Sequence, residues 1–484
     1  MLRVYLDWNA FSRLDDRDEI YRKASTSLID DAKYIIPFSH AHLLDLHRSY
    51  LKVGMAGIGG KLDILQKYSK GILITDTDQD QLEFVTIHAK EAMEMHVENF
   101  DKYKELNITI SDLLEPLEIL RPLLNIQIPN PMAKPTEDMD DTEYKKLIAS
   151  APNTADEVQK KLMGNSETTS VADLMENLIK MASTIHQDNS YNELREAYQK
   201  DLKVNTGKMR DKRFNPVEVL DENAKKMKLE NFMALHEILL NDKDGFSLFK
   251  KIQELCRHLD FNGFFPDVIK PGHHLDNIET DYQHIGYAST CDIFISADNN
   301  TREKAKLAYK LLTIDVKVFT PKEFVDFLDN NSHKILDGNE FVDYLFWLRD
   351  NEPSAVTNEF EYHYVPSYIL EYFNVVAIPI NDQDHLILHK FGSPNRISTF
   401  VTEVKSVRDQ LLILFGKPGL ETNQIGHSFY AVSWITNDAL VISLKYTDKT
   451  LTLEVVQGQK LSGWKKIWNI TKFRIKKIGD KFKW

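Results

Sequence analysis

The chain has 484 residues, 42% hydrophobic and 27% charged, a balance that suits two to four packed domains and excludes a low-complexity polymer. A net charge of −13 argues against indiscriminate coating of nucleic acid by the whole molecule. Two cysteines, Cys256 and Cys291, exclude a disulfide framework and a four-cysteine zinc site. With no basic leader and no apolar run of about 18 residues, the expectation is a cytoplasmic protein with no membrane association.

Residues 2–8 read as a short buried strand that ends on Asp7, and 11–33 as a helix. Tyr34 to Pro37 is a second short apolar run. Ser39 then suits an N-cap for a helix over His40 to Val53. Gly54 to Gly60 reads as a loop, 61–70 as a helix and Gly71 to Thr75 as a third β-like run. This βαβα rhythm favours a parallel sheet.

From about 78 to 260 the pattern becomes a large helical insertion, broken by Pro129 to Pro135, Pro152 and Pro216. The α/β rhythm returns after Pro266. A helix carrying Asp281, His284 and Tyr287 precedes a strand over Ile293 to Ser296, then a helix over Thr301 to Leu312, a strand over Val316 to Thr320 and a helix opened by Pro321. Residues 329–352 read as a connecting helix.

Residues 353–484 read as an α+β domain. Val375 to Ile380 and His385 to Phe391 flank the turn Asn381-Asp382-Gln383-Asp384, an amphipathic helix covers Ser398 to Phe415, and three strands follow at Phe429–Ile435, Ala439–Tyr446 and Thr450–Val456. This region is net +4, which leaves −17 for the rest. Its tail mixes Trp464, Trp468, Phe473, Phe482 and Trp484 with Lys465, Lys466, Lys472, Arg474, Lys476 and Lys477. Basic groups neutralise phosphates and aromatic faces stack on unpaired bases, so the tail is a candidate nucleic-acid contact. The plainer reading is an amphipathic element with its lysines in water.

Four acids stand out by position. Asp7 ends the first strand, Asp45 lies on the helix after the second, Asp281 on the helix before the late strand, and Asp298 just beyond that strand. If those strands are neighbours, the four acids converge at one sheet edge, where open α/β sheets bind ligands. Clustered carboxylates repel and persist chiefly around a hard cation such as Mg²⁺ or Mn²⁺. Each acid also has a plain reading: Asp7 and Asp298 as helix caps, Asp45 as a helix acid beside His42 and Arg48. Asp276 and Glu279 compete with Asp281, and Asp292 suits a structural turn.

The blocks "YLDWNAFSRL", "IIPFSHAHLLDLHR", "DYQHIGYASTCDIFISADNNTREKAKLAY" and "VKVFTPKEF" resemble a PIN-like (PilT N-terminus) nuclease domain over about 1–75 and 265–328. The resemblance implies a three-layer α/β/α sandwich with a parallel sheet, here carrying the helical insertion within residues 1–328. It implies Mg²⁺ or Mn²⁺ held by Asp7, Asp45, Asp281 and Asp298. Asn9 belongs to the matched Asp-x-Asn element and Ser296 to the matched Ser/Thr-x-Asp element. With His284, one helical turn after Asp281, they are the candidate orienting groups. The implied activity is hydrolysis of RNA, with DNA as an alternative substrate, in a toxin or defence setting. A scaffold that keeps the fold without catalysis is the competing expectation, and 353–484 would supply RNA affinity, a protein partner or an oligomer contact.

Overall fold

The computed structural model describes residues 1–29, 33–76, 82–105, 127–129, 168–170, 192, 195–196, 199–200, 204, 206–210, 214–226, 231–233, 247–267, 275–330, 337–390, 401–422, 429–436, 440–447 and 450–457. Its N-terminal part is built on β1 (Leu2–Leu6), β2 (Tyr34–Ile35), β3 (Phe38–Ser39), β4 (Ile72–Asp76) and β5 (Leu82–Thr86). β6 (Gln127–Pro129) and β7 (Thr168–Ser170) pair with each other, and β8 (Ile293–Ile295) and β9 (Lys317–Phe319) complete this half.

The order β2-β1-β8-β9 is parallel throughout. β3 pairs in parallel with β4, and β5 closes that ladder antiparallel. One segment, Tyr34–Ser39, serves both ladders, its two halves separated by Pro37, which has no N–H to donate. β1 is therefore flanked by β2 on one side and by β8, almost 300 residues later, on the other. This is the switch point of an open parallel sheet.

Both faces of the sheet are covered. Leu2, Val4, Leu6, Ile293 and Ile295 pack with Phe11, Leu43, Leu46, Leu65, Met93 and Phe324. The alternate residues Tyr5 and Phe294 pack on the opposite face with Leu255, Leu259, Tyr282, Ile285 and Tyr309. The period of two along each strand produces this split, and double-sided burial explains why β1 and β8 read as continuous apolar runs. Helix Leu248–Phe261, read from sequence as part of the insertion, packs in this second cluster.

Three local expectations are corrected. The helix expected over 11–33 is split into Trp8–Phe11 and Glu19–Leu28, because Asp18 caps the second piece by accepting the Ile20 N–H at 2.9 Å. The loop expected at Gly54 to Gly60 is instead helical, as one element runs His40–Ser69. The break is confined to Gly54, whose φ of +67° suits a residue without a Cβ. β5 was not foreseen, since an exposed edge strand lacks a strong apolar signature.

The C-terminal part is one antiparallel sheet of β10 (Ala355–Val356), β11 (Phe360–Ile369), β12 (Phe373–Pro379), β13 (His385–His389), β14 (Leu420–Thr422), β15 (Phe429–Ile435), β16 (Leu440–Thr447) and β17 (Thr450–Gln457). Helices Gly338–Asp350 and Val401–Phe415 pack on it through Phe341, Leu345, Val404, Val407 and Leu411. Two buried ion pairs join this part to the amino end of the parallel sheet. Arg3 donates to Glu403 Oε1 and Oε2 at 3.0 and 2.8 Å. Lys390 Nζ reaches Asp292 Oδ2 at 2.6 Å, and that oxygen also accepts the Arg3 N–H at 2.8 Å. Asp292 is thus structural, and Cys291 is buried core beside it. Among the described residues no helix is long and apolar enough to cross a membrane.

Candidate functional site

Asp7 and Ser296 leave the carboxyl ends of the neighbouring strands β1 and β8, with the Asp7 N–H bound to Ile295 O at 2.9 Å. Asp7 caps helix Trp8–Phe11 by accepting the Ala10 N–H on Oδ1 at 2.7 Å. Its Oδ2 accepts the Ser296 hydroxyl at 2.5 Å. Ser296 Oγ in turn accepts the Asp298 N–H at 3.0 Å, and Asp298 Oδ1 caps helix Asn299–Leu311 through the Thr301 N–H at 2.8 Å. One serine therefore ties both strand-end acids together. The capping roles read from sequence are real, and they hold both carboxylates at the sheet edge. Asn9 is exposed and makes no hydrogen bond to these acids among the described residues, so Ser296 does the orienting.

Asp45 approaches from helix His40–Ser69. Its Oδ1 accepts Arg48 Nη1 at 2.8 Å and its Oδ2 lies 2.9 Å from His284 Nε2. Because a carboxylate only accepts, the His284 proton is assigned to Nε2, which leaves Nδ1 to accept from the Tyr5 hydroxyl at 2.8 Å. Ser39 Oγ lies 2.6 Å from the same hydroxyl. His42 Nδ1 accepts the Ser39 N–H at 3.0 Å, so its Nε2–H donates to Leu6 O at 2.8 Å. Tyr5, Ser39, His42 and His284 are all buried. Sequence reading missed Tyr5, which passes for an ordinary apolar strand residue.

Asp281 lies one turn before His284 on helix Leu275–Ala288. It keeps part of its surface in solvent, yet its proton affinity is pushed well above the usual carboxylate range. Desolvation is the first cause, followed by repulsion from Asp267, Asp45, Asp298 and Asp7. Three of the four acids singled out from sequence, Asp7, Asp45 and Asp298, therefore act on the fourth. Burial likewise raises Asp7, partly offset by the Ser296 hydrogen bond. Glu279, the competitor for the Asp281 role, is taken by Arg257 through contacts of 3.1 and 2.6 Å. The side chain of Asp276 lies outside the described residues, as does the basic tail with Lys465, Lys466, Lys472, Arg474, Lys476 and Lys477.

Asp267 is an acid that the sequence reading did not select. Lys304 Nζ, itself buried, lies 2.5 Å from Asp267 Oδ2 and 2.8 Å from Asp260 Oδ1, and Arg195 closes on Asp260 at 2.7 Å. This network compensates Asp260 and Asp267 internally. No basic side chain among the described residues does the same for Asp281.

The donor set suits a hard divalent cation in its chemistry: oxygen ligands only, with negative charge in excess at Asp281. Among the described residues, no three His, Cys, Asp or Glu side chains already stand at coordinating spacing. Coordination would therefore draw the carboxylates closer together. No protein-family model, curated protein or solved structure matches the chain.

Proposed function

We propose that this chain is a divalent-metal-dependent nuclease of PIN-like type, with a three-layer α/β/α arrangement, acting on RNA. One observation carries the reading. Acids from the end of β1, from the loop after β8 and from two helices meet at the switch point of a parallel sheet, and one of them, Asp281, has no compensating cation among the described residues. Mg²⁺ or Mn²⁺ would be held by Asp7, Asp281 and Asp298, with Asp45 beside them. Bound there, such an ion supplies Lewis-acid stabilisation to a phosphodiester under attack by water.

The chain's own residues set the geometry. Ser296 fixes Asp7 relative to Asp298, and His284, held by Tyr5, fixes Asp45. Arg48, part-exposed and donating to Asp45 and Thr280, would be the group that meets a substrate phosphate. Residues 353–484 would add RNA affinity or a partner contact through their excess of positive charge.

A second reading, a PIN-like scaffold without catalysis, is favoured by one feature: both oxygens of Asp45 are already engaged by Arg48 and His284. The two readings separate on one assay. Single-stranded RNA and DNA are offered side by side with Mg²⁺, Mn²⁺ or EDTA. The nuclease reading expects divalent-dependent RNA cleavage that falls on the order of 1,000-fold in Asp7→Asn and in Asp298→Asn. Unchanged cleavage in both variants sinks the site, DNA as the sole substrate sinks the RNA assignment, and no cleavage by the parent chain favours the scaffold.

A further inference from the structure

Helix His40–Ser69 bends as it leaves the carboxylate site. In a straight helix, residues 49 and 61 would stand about 18 Å apart along the axis, beyond the joint reach of a lysine and a serine. Here Lys61 Nζ donates to Ser49 Oγ at 3.0 Å. Gly54, at φ +67° and ψ −178°, lies between the two and folds the second half of the helix back toward the first.

The fold-back assembles a group of side chains on the flank of the acids. Ser49 lies one turn beyond Asp45, on the same helix face. Trp8 directly follows Asp7 and is part-exposed. Its ring stands edge-on to His42 with centroids 6.4 Å apart, and His42 is tied to Leu6 O in β1 at 2.8 Å. Lys61 Nζ lies 5.9 Å from the Trp8 centroid, the outer limit of a cation–π contact, so the ammonium flanks the indole without sealing it. Asp45 holds Arg48 at 2.8 Å, whereas Lys61 makes no ion pair among the described residues. With one of its three donors on Ser49, its ammonium has two left for an anion. An indole adds nothing to a hard-cation site, but it offers a π-face to a base.

We propose that Trp8, Ser49 and Lys61 form the strand-gripping flank of the carboxylate site: Lys61, steered by Ser49, holds a backbone phosphate, and Trp8 stacks on an adjoining unpaired base. The inference rests on the nuclease reading for the identity of the substrate and adds its form, a single strand. A base paired and stacked inside a duplex has no free face to give.

The test uses the full chain in EDTA, where metal-dependent cleavage does not consume the probe. Binding of a labelled single-stranded RNA of about 12 nucleotides is followed by fluorescence anisotropy from about 50 to 200 mM salt. Lys61→Gln is expected to weaken binding about tenfold at the lower salt and to flatten the slope of log affinity against log salt by about 0.7, and Lys61→Arg to restore both. Trp8→Leu, which keeps an apolar side chain without a π-face, is expected to weaken binding about tenfold at unchanged slope, and Trp8→Phe to recover most of the loss. The duplex of the same sequence should bind the parent chain at least about tenfold more weakly. Mn²⁺ affinity should stay at the parent value in all four variants, which separates the flank from the acids. Parent affinity and slope in both Lys61→Gln and Trp8→Leu overturn the proposal whatever the cleavage assay gives. So does equal binding of the duplex, or no binding by the parent chain. Single-strand binding that depends on both residues, in a chain that cleaves nothing, supports the flank and overturns the nuclease reading instead.

Discussion

The two ends of the central β1–β8 pair treat charge in opposite ways. At the amino end, Arg3 and Asp292 are buried, but each has a partner of opposite sign from the C-terminal part: Glu403 for Arg3 and Lys390 for Asp292. At the carboxyl end, Asp7 and Asp281 have no such partner among the described residues, and burial together with neighbouring acids raises the proton affinity of both. Matched buried charge cements an interface, whereas unmatched buried charge stores unfavourable energy that a ligand can relieve. The same two strands thus carry a compensated end and an uncompensated one.

The largest effect lies at the matched end. Arg3→Leu leaves Glu403 buried without its cation and is expected to cost about 3–5 kcal/mol in urea unfolding, while the double change Arg3→Met with Glu403→Leu recovers most of that loss. If the single change costs less than the double, the pair does not hold the interface. The pH dependence carries the same comparison. The Arg3 guanidinium holds Glu403 down at about 2 from an ordinary 4.5. Its stabilisation, on the order of 3 kcal/mol, is present above pH 4.5 and is lost as the pH falls toward 2. Asp281 has the opposite sign. Its raised folded value gives stability that is complete below 3.8 and lost as the pH rises through that raised value. In EDTA, acidification should weaken the amino end and relieve the carboxyl end. Unfolding curves of Asp281→Asn should lack the second component and keep the first.

The carboxyl end was more legible than the amino end. Asp7 and Asp298 stand at the ends of apolar runs, and Ser296 two residues before Asp298 fits the same pattern, so short-range sequence placed them correctly. Helical phase put Asp281 and His284 on one face. What sequence could not show was pairing over distance: Arg3 and Glu403 are 400 residues apart, and nothing local marks either as a partner. Asp267 was missed because its place in the site depends on Lys304, and Tyr5 because only its hydroxyl, not its apolar ring, carries the role. The glycines after Gly54 were misread because helix continuation there is set by packing of Ile58, Leu62 and Leu65 rather than by propensity.

A smaller effect sharpens the carboxyl end. A divalent ion that binds only the folded chain, present at about 100 times its dissociation constant, should add about 2.7 kcal/mol to stability. Asp281→Asn should remove that increment and, in EDTA, raise stability by about 1 kcal/mol by deleting one repelled charge. Thermal unfolding with and without Mn²⁺ reads both numbers. A Mn²⁺ increment that survives the substitution would move the ion away from Asp281, and a loss of stability in EDTA would mean that the carboxylate is compensated after all.

The smallest effect tests the link between the ends of the argument, the fold and the site. Tyr5→Phe keeps the buried ring and removes only the hydroxyl that joins Ser39 to His284. The cost in stability should be about 1–2 kcal/mol, since His284 Nδ1 loses its donor in a site closed to water. If that hydroxyl is what holds the His284 proton on Nε2 facing Asp45, the ring nitrogen resonances of His284 should show loss of the single tautomer in the variant. The Mn²⁺ concentration for half-maximal binding should rise while the Asp7 and Ser296 contact is untouched. A merely space-filling Tyr5 would give the stability loss without either change. That outcome would assign Asp45 to Arg48 alone and leave the carboxyl end organised by Ser296.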